Sequence, residues 1–177
     1  MKKTIVFADL SGFTALTEVH GDKDAAELVS RYIEMVQGVL PEQTRVVKTI
    51  GDEVMVVADN AVQGIHGAVN ISKAVKTEPQ FPGVRIGCHH GDVIRQEDDY
   101  FGNAVNLAAR VASQALPEQI LCTEPVKEAG EDIPELELVS AGRATFKNIS
   151  GHVDLYEITI QKENTPDRSP TRCAGCS

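Results

Sequence analysis

Two stretches rich in β-branched residues, Thr44 to Ile50 and Glu53 to Ala58, are separated only by Gly51 and Asp52. A Gly-Asp pair between two such runs is typical of a β-hairpin. Helical patterns lie on both sides of it, so strands and helices alternate except where the hairpin interrupts them. A purely parallel sheet contains no hairpin. The pattern therefore favours an α+β fold with a ferredoxin-like mixed sheet of the split βαβ type, whose helices pack on one face.

Hydrophobic periodicity predicts the remaining elements. Period-two runs predict further strands at 1–8, at 84–88 paired with 93–96 around Gly91, at 119–122 and at 153–160. Helical periods predict a short helix that ends near Gly21, a longer one that ends at Pro41, and two more over 60–76 and 101–115. The strands near the C-terminus, at 119–122 and 153–160, would extend the sheet.

The strand at 153–160 is the last apolar pattern in the chain. From residue 161 the sequence is polar and contains Pro166 and Pro170. Residues 1–160 are therefore expected to form one domain, and residues 161–177 a flexible polar tail. Cys173 and Cys176 form a Cys-x-x-Cys without a second ligand pair or a following helix, so they are assigned to this tail.

The overall charge argues against two classes of partner. The chain has 17 basic and 26 acidic residues, a net charge of -9 and a pI near 5.0. Such a chain lacks the general positive charge that attracts nucleic acid or an anionic membrane. Its apolar runs are far shorter than the roughly 18 residues needed to span a bilayer, and Asp9 interrupts the first one before a signal peptide could form. We expect a cytoplasmic protein with no nucleic-acid partner and no membrane span.

Two acidic residues follow strands directly: Asp9 after the first strand and Asp52 at the tip of the hairpin. Adjacent strand ends could bring them together, and Mg²⁺ binds a few carboxylates with water and substrate phosphates. Two such ions could activate a hydroxyl group and neutralise a leaving pyrophosphate. Each residue also has a simpler interpretation, because Asp9 could cap a helix and Asp52 could form a turn. Their spacing does not decide between the two.

Other polar residues are individually weak signals. The segment Gly12-Phe13-Thr14 opens a helix, where free N–H groups could bind phosphate. Lys48 lies four residues before Asp52, and Asn106 and Arg110 are four apart, hence on one helix face. Taken singly, a helix face of this kind is ordinarily solvated surface. Only the combination points to a function.

Three segments together resemble the class III adenylyl and guanylyl cyclases. They are FADLSGFT from Phe7 to Thr14, KTIGD from Lys48 to Asp52, and DYFGNAVNLAAR from Asp99 to Arg110. They occur in the family's order and spacing, and the resemblance covers about residues 3–160. It implies a cyclase catalytic domain over residues 1–160 that converts ATP to 3',5'-cyclic AMP and pyrophosphate by two-metal-ion catalysis.

The resemblance implies roles for individual residues near the first two segments. Asp9 and Asp52 match the aspartates that bind two Mg²⁺ or Mn²⁺ ions, and Leu10 matches the residue whose backbone carbonyl helps to hold the second ion. Lys48 and Asp99 match the pair that reads adenine. That pair favours ATP over GTP.

The remaining implied residues lie later in the chain. Asn106 matches the residue that orients the ribose, and Arg110 the one that stabilises charge on the transferring phosphoryl group. Lys147 is the candidate for a last phosphate-binding lysine, although the family often has Gly where Asn148 stands. Asp98 is the alternative to its neighbour as the base-reading acid.

In this family the metal aspartates and the other groups come from different subunits. Because this chain carries all of them, the resemblance implies a symmetric homodimer with two complete sites. Two alternatives stay open: a silent cyclase-like module that only dimerises or binds nucleotide, and a guanylate cyclase. A diguanylate cyclase, suggested by the residues after Ile50, is disfavoured because that family's second Gly and its Phe are missing.

Overall fold

The computed structural model describes residues 1–161. In chain order its elements are β1 (Lys2–Leu10), α1 (Phe13–Val39), β2 (Thr44–Ile50), β3 (Glu53–Ala58), α2 (Ala61–Lys76), β4 (Val84–Asp92), β5 (Ile94–Gln96), β6 (Asp99–Phe101), α3 (Asn103–Gln114), β7 (Ile120–Thr123), α4 (Glu124–Gly130), β8 (Leu136–Ala144) and β9 (Val153–Ile160). None of the helices in this range is long and apolar enough to cross a membrane. The predicted tail beyond Gln161, with Cys173 and Cys176, lies outside the described residues.

Seven strands form one mixed sheet in the order β2-β3-β1-β4-β7-β9-β8. The elements from β1 to β4 follow the order β-α-β-β-α-β, and their strands lie in the order β2-β3-β1-β4, which is the split βαβ arrangement. Strand β7 then pairs parallel to β4, and β9 and β8 continue the sheet antiparallel. The predicted α+β fold with added C-terminal strands is confirmed.

Strand β1 carries two cores, one on each face of the sheet. Val6 and Ala8 pack in a core shared with α1, α2 and α4, whereas Ile5 and Phe7 pack in a core shared with α3. The sequence predicts that all helices pack on one face of the sheet. The structure corrects this prediction, because α3 covers the opposite face. The reason lies in β1 itself, where every residue from Thr4 to Ala8 is buried, so the sheet needs a cover on both sides.

The break that the sequence predicts near Gly21 is present as a kink within α1. Gly21 has φ 81° and ψ 166°, which are not helical values. A positive φ of this size is readily adopted only by glycine. The helix therefore changes direction between its start, which follows the end of β1, and the long segment that packs on the sheet.

The predicted hairpin around Gly91 is corrected by the structure. Strand β4 continues through Gly91 because β1 offers it partners along its whole length, from Leu10 opposite Val84 to Lys2 opposite Asp92. The turn occurs later, between β5 and β6, which form a separate two-stranded ribbon. Residues 101 and 102 belong to this ribbon and its exit, so α3 begins two residues later than predicted.

Helix α3 approaches β4 most closely at Gly87. A Cβ atom added there would lie 2.1 Å from the backbone nitrogen of Ala112. We predict that Gly87→Ala displaces α3 and lowers the free energy of unfolding by about 2–3 kcal/mol, as expected for an overpacked core. Urea unfolding monitored by circular dichroism measures the change.

The matched control is Gly38→Ala in α1, where an added Cβ meets nothing within 4 Å. This substitution should raise stability by about 0.5–1 kcal/mol, because alanine loses less backbone entropy in a helix. Equal stability of Gly87→Ala and the wild type would contradict the close approach of α3.

Candidate active site

Asp9 and Asp52 converge at one end of the sheet. Asp9 is the penultimate residue of β1, and Asp52 occupies the turn between β2 and β3. The pKa of Asp52 is raised, chiefly by burial and also by the charge of Asp9, while hydrogen bonds from its own backbone and from that of Leu10 act in the opposite direction. The two carboxylates are thus near enough to repel each other, as the strand-end argument predicted.

Glu53 is a third acid in this group, and the sequence patterns did not single it out. It pairs directly with Asp9 across β1 and β3, so both side chains lie on the same face of the sheet. Burial, followed by the charges of Asp9 and Asp52, raises its pKa. Glu53 is recognised only from the strand pairing, which places it directly opposite Asp9.

Arg85 supplies a positive charge that partly offsets these acids. Its Nε donates to Asp9 Oδ1 at 3.1 Å, and a terminal guanidinium nitrogen donates to Asp9 Oδ2 at 2.8 Å. Arg85 lies opposite Asp9 in the pairing of β4 with β1, and it lowers the pKa of both Asp52 and Glu53. In the sequence, the only sign of this role is that Arg85 is a single arginine within an apolar strand.

The donor chemistry of this group fits a small divalent cation. Carboxylate oxygens are the protein ligands that Mg²⁺ prefers, and one or two of them suffice when substrate phosphates and water complete the shell. Within residues 1–161, no cluster of three or more His, Cys, Asp or Glu side chains is arranged to hold an ion. Two carboxylates from the protein would suffice for such an ion if substrate phosphates and water fill the other positions.

The segment Gly12-Phe13-Thr14 begins α1 directly beside this group. Gly12 has φ 73° and ψ 19°, and no side chain caps the helix start. Because the first turn of a helix has N–H groups without intrahelical partners, these donors face outward. Thr14 is exposed and Phe13 half-buried, so the helix start is accessible.

Lys48 and Asp99 form a second group within the same chain. Lys48 Nζ donates to Asp99 Oδ2 at 3.0 Å, and Asp99 Oδ1 accepts a hydrogen bond from the backbone N–H of Tyr100 at 2.7 Å. These hydrogen bonds, with that from Lys48 the larger, lower the pKa of Asp99. Asp98, the alternative, is exposed in the preceding turn. The structure places Asp99 rather than Asp98 beside the lysine.

Asn106 and Arg110 lie on the outer side of α3, opposite its buried residues Ala104, Val105, Ala108, Val111 and Ala112. Their side chains make no hydrogen bond or ion pair with other residues among 1–161. Helix α3 packs across β4 from Gly91 to Gly87, which lie opposite Lys3 and Phe7 of β1. Asn106 is exposed and Arg110 is half-buried, on the face of α3 turned away from the sheet.

Lys147 is exposed in the loop between β8 and β9, next to the buried Phe146. Asn148, which follows it, has φ 66°. Asparagine and glycine are the residues that most readily adopt this left-handed conformation. The departure from glycine at this position is therefore compatible with the same backbone.

Arg85 provides a test of the electrostatics. We predict that Arg85→Met lowers the free energy of unfolding by about 1–2 kcal/mol at about pH 8, because partly buried carboxylates lose their cation. Without Arg85 the folded-state pKa values of Asp52 and Glu53 rise further above those of the unfolded chain. The loss should therefore shrink as the pH falls to about 5 and these groups bind protons.

The matched control is Arg143→Met. Its ion pair with Asp154 at 2.8 Å is solvent-exposed, so its loss should cost less than about 0.5 kcal/mol. Unfolding by urea, rather than by the salt guanidinium chloride, measures the free energy of unfolding of both variants at the two pH values. A loss for Arg85→Met that does not change with pH would contradict its coupling to the carboxylates.

Comparisons with known proteins place this arrangement in a family. Residues 2–159 match the family described as the adenylate and guanylate cyclase catalytic domain. A pH-sensitive adenylate cyclase of Mycobacterium tuberculosis is 32% identical over 158 residues, which are 88% of this chain and 40% of that protein. An adenylate cyclase of Streptomyces griseus is 36% identical over 116 residues, 65% of this chain and 29% of that protein. The chain thus spans less than half the length of these relatives.

Solved structures share the fold. An adenylyl cyclase from P. aeruginosa superimposes with a TM-score of 0.79 at 21% identity, covering 92% of this chain and 95% of the other. The catalytic core of a rhodopsin-guanylyl cyclase with converted specificity, in complex with ATPαS, gives 0.83 at 22% identity, covering 91% and 97%. The match of the family over nearly the whole described range, with this shared fold, shows that the chain belongs to the adenylate and guanylate cyclase catalytic domain family.

Proposed function

We propose that this chain is an adenylate cyclase that converts ATP to 3',5'-cyclic AMP and pyrophosphate at a site shared across a homodimer. The observation that carries the proposal is the pairing of Lys48 with Asp99 in a chain that also gathers Asp9 and Asp52. One group suits a purine base and the other suits a metal-bound triphosphate. The relatives from M. tuberculosis and S. griseus, both named adenylate cyclases, support the same activity.

The acidic group would hold the metal ions. Asp9 and Asp52 would bind two Mg²⁺ or Mn²⁺ ions together with the carbonyl of Leu10, whose side chain is buried and so leaves only its backbone to contribute. When bound, such ions activate the ribose 3'-hydroxyl and neutralise charge on the leaving pyrophosphate. Arg85 keeps a guanidinium beside the same carboxylates, where it can also donate to phosphate oxygens.

The second group would read the base. Lys48 offers a donor to a ring nitrogen of adenine, and Asp99 offers an acceptor to its exocyclic amine. Guanine reverses both hydrogen-bonding positions, so it would leave the pair poorly matched. This difference supports ATP rather than GTP as the substrate.

The reaction forms a bond from the ribose O3' to the α-phosphorus and breaks the bond from that phosphorus to the oxygen bridging to the β-phosphate. Asn106 would orient the ribose so that O3' faces the phosphorus, and Arg110 would donate to oxygens of the transferring group. Lys147 and the N–H groups of the segment Gly12-Phe13-Thr14 would bind the remaining phosphate oxygens. The O3' proton passes to solvent and pyrophosphate leaves.

The positions of these residues support the proposed homodimer. Asn106 is exposed and Arg110 half-buried on the outer face of α3, which is turned away from the sheet that carries Asp9 and the neighbouring acids. A second copy of the chain, related by a two-fold axis, would bring its α3 to these acids and receive the same contact in return. We place this dimer in the cytoplasm, where ATP is available, with residues 1–160 as its catalytic domain.

The first test of the function is turnover. With Mg²⁺ or Mn²⁺, the purified chain should cyclise ATP with a kcat/KM at least about tenfold above that for GTP, since unpaired buried polar groups cost about 1–3 kcal/mol each. Asp9→Asn and Asp52→Asn should each keep less than about a tenth of the activity, because the amide cannot replace a charged ligand. Cyclic nucleotide and pyrophosphate are measured together.

Asp59→Asn is the matched control, since this exposed acid forms an ion pair with Lys3 at 2.6 Å and should keep full activity. Preference for GTP would make the protein a guanylate cyclase. Absence of any turnover, with nucleotide binding or dimerisation intact, would make it a silent module.

The second test concerns the shared site. Asp9→Ala spoils one half of each site and Asn106→Ala spoils the other, so neither homodimer should be active. If equal amounts exchange freely, about half of the dimers are mixed, and in each of these one site collects both defects while the other has none. Activity should then recover to about a quarter of the wild-type value. No recovery after exchange verified by mass spectrometry would contradict a site built from two chains.

A further inference from the structure

The short ribbon of β5 and β6 presents an aromatic ring and a carboxylate on one face. Asp99 and Phe101 are two residues apart on β6, so their side chains share that face, while Tyr100 between them is buried. Phe101 is 45% exposed, and its cross-strand neighbour Ile94 is 69% exposed. An apolar surface therefore adjoins the carboxylate on which base reading depends.

Lys48 reaches this face from β2 and touches both side chains. Its Nζ lies 3.0 Å from Asp99 Oδ2 and 5.8 Å from the centre of the Phe101 ring. The side chains of Lys48 and Asp99 are 37% and 32% exposed, so water competes for their ion pair. The aromatic face offers the ammonium a second attraction on another side.

We propose that Phe101 is a positioning residue for base selection, which holds the Lys48 ammonium beside Asp99 in the orientation that reads adenine. This inference rests on the proposed adenylate cyclase function. A lysine ammonium is a point charge on a flexible four-carbon stem, and a single exposed ion pair restricts it poorly. Simultaneous contact with the ring and the carboxylate leaves the ammonium fewer orientations. Its remaining donors are then directed towards the base.

The chemistry predicts an effect on selectivity rather than on the chemical step. Phe101 belongs to the β5-β6 ribbon, which is separate from the sheet that carries Asp9 and Asp52, so its loss should not alter the phosphoryl transfer itself. A Lys48 side chain that swings into water donates less to adenine and no longer disfavours guanine. Loss of the ring should therefore raise KM for ATP, change kcat little and reduce the preference over GTP.

The experiment compares Phe101→Leu, which keeps apolar bulk without the aromatic face, with Phe101→Tyr, which keeps the ring. Binding of ATP and GTP carrying a methylene bridge between the α- and β-phosphates, which cannot be cyclised, is measured by calorimetry with Mg²⁺. Steady-state kinetics with ATP and GTP accompany it. We expect Phe101→Leu to lower the adenine-to-guanine ratio about two- to fivefold in both measurements, as for a cation–π contact at an exposed site, and Phe101→Tyr to restore it.

Ile94→Ala is the matched control, because this residue lies opposite Phe101 on the ribbon and is more exposed, but offers the ammonium no aromatic face. Its ratio should equal that of the wild type. Equal ratios for Phe101→Leu and the wild type would overturn the inference. So would equal changes in Phe101→Leu and Ile94→Ala together with equal losses of dimer in sedimentation, which would make Phe101 only a subunit contact.

The two readouts separate this inference from the proposed function. If the wild type prefers the adenine analogue but makes no cyclic nucleotide, the proposed function is wrong, and the binding ratio of Phe101→Leu still decides the role of the ring. If the wild type turns over ATP and Phe101→Leu keeps its selectivity, only the inference fails. A wild type that does not distinguish the two analogues would remove base selection from Lys48 and overturn the role of Phe101 with it.

Discussion

Strand β1 is buried on both faces, and this constraint organises the molecule around it. Its side chains alternate between a core with α1, α2 and α4 and a core with α3, while β3 and β4 flank it at both edges. A strand fixed on four sides has little freedom in its register. The position of Asp9 at its end, and of Glu53 and Arg85 opposite it, is therefore set by hydrophobic packing rather than by the polar groups themselves.

The polar groups at this end of the sheet carry more negative than positive charge, and the hydrophobic packing holds them in place. Three acids face one arginine, and the pKa values of Asp52 and Glu53 are raised, chiefly by burial and also by the neighbouring acidic charges, so keeping these groups ionised costs free energy. A cation would relieve that cost. The same arrangement that weakens the isolated domain would thus favour the binding of a cation, and Arg85 limits the loss of stability.

Much of the fold and of the candidate site could be predicted from the sequence. Each feature that could not be predicted has a physical cause. The hairpin at Gly51 and Asp52, the break at Gly21 and the C-terminal strands depend on local patterns, so they were predicted correctly. The hairpin around Gly91 was misplaced because β4 follows the length of β1, a partner more than 70 residues away along the chain. The placement of α3 was missed because burial of both faces of β1 is also a non-local property.

The sequence by itself determined the fold class, the family and the candidate residues, because hairpin signals, periodicity and the three motifs are properties of short segments. Only the tertiary structure decided that Asp99 rather than Asp98 meets Lys48, that Arg85 and Glu53 join Asp9, and that Phe101 lies over the lysine. These contacts depend on which strands are neighbours and on their register. Register is fixed by packing across the sheet, and no single segment contains that information.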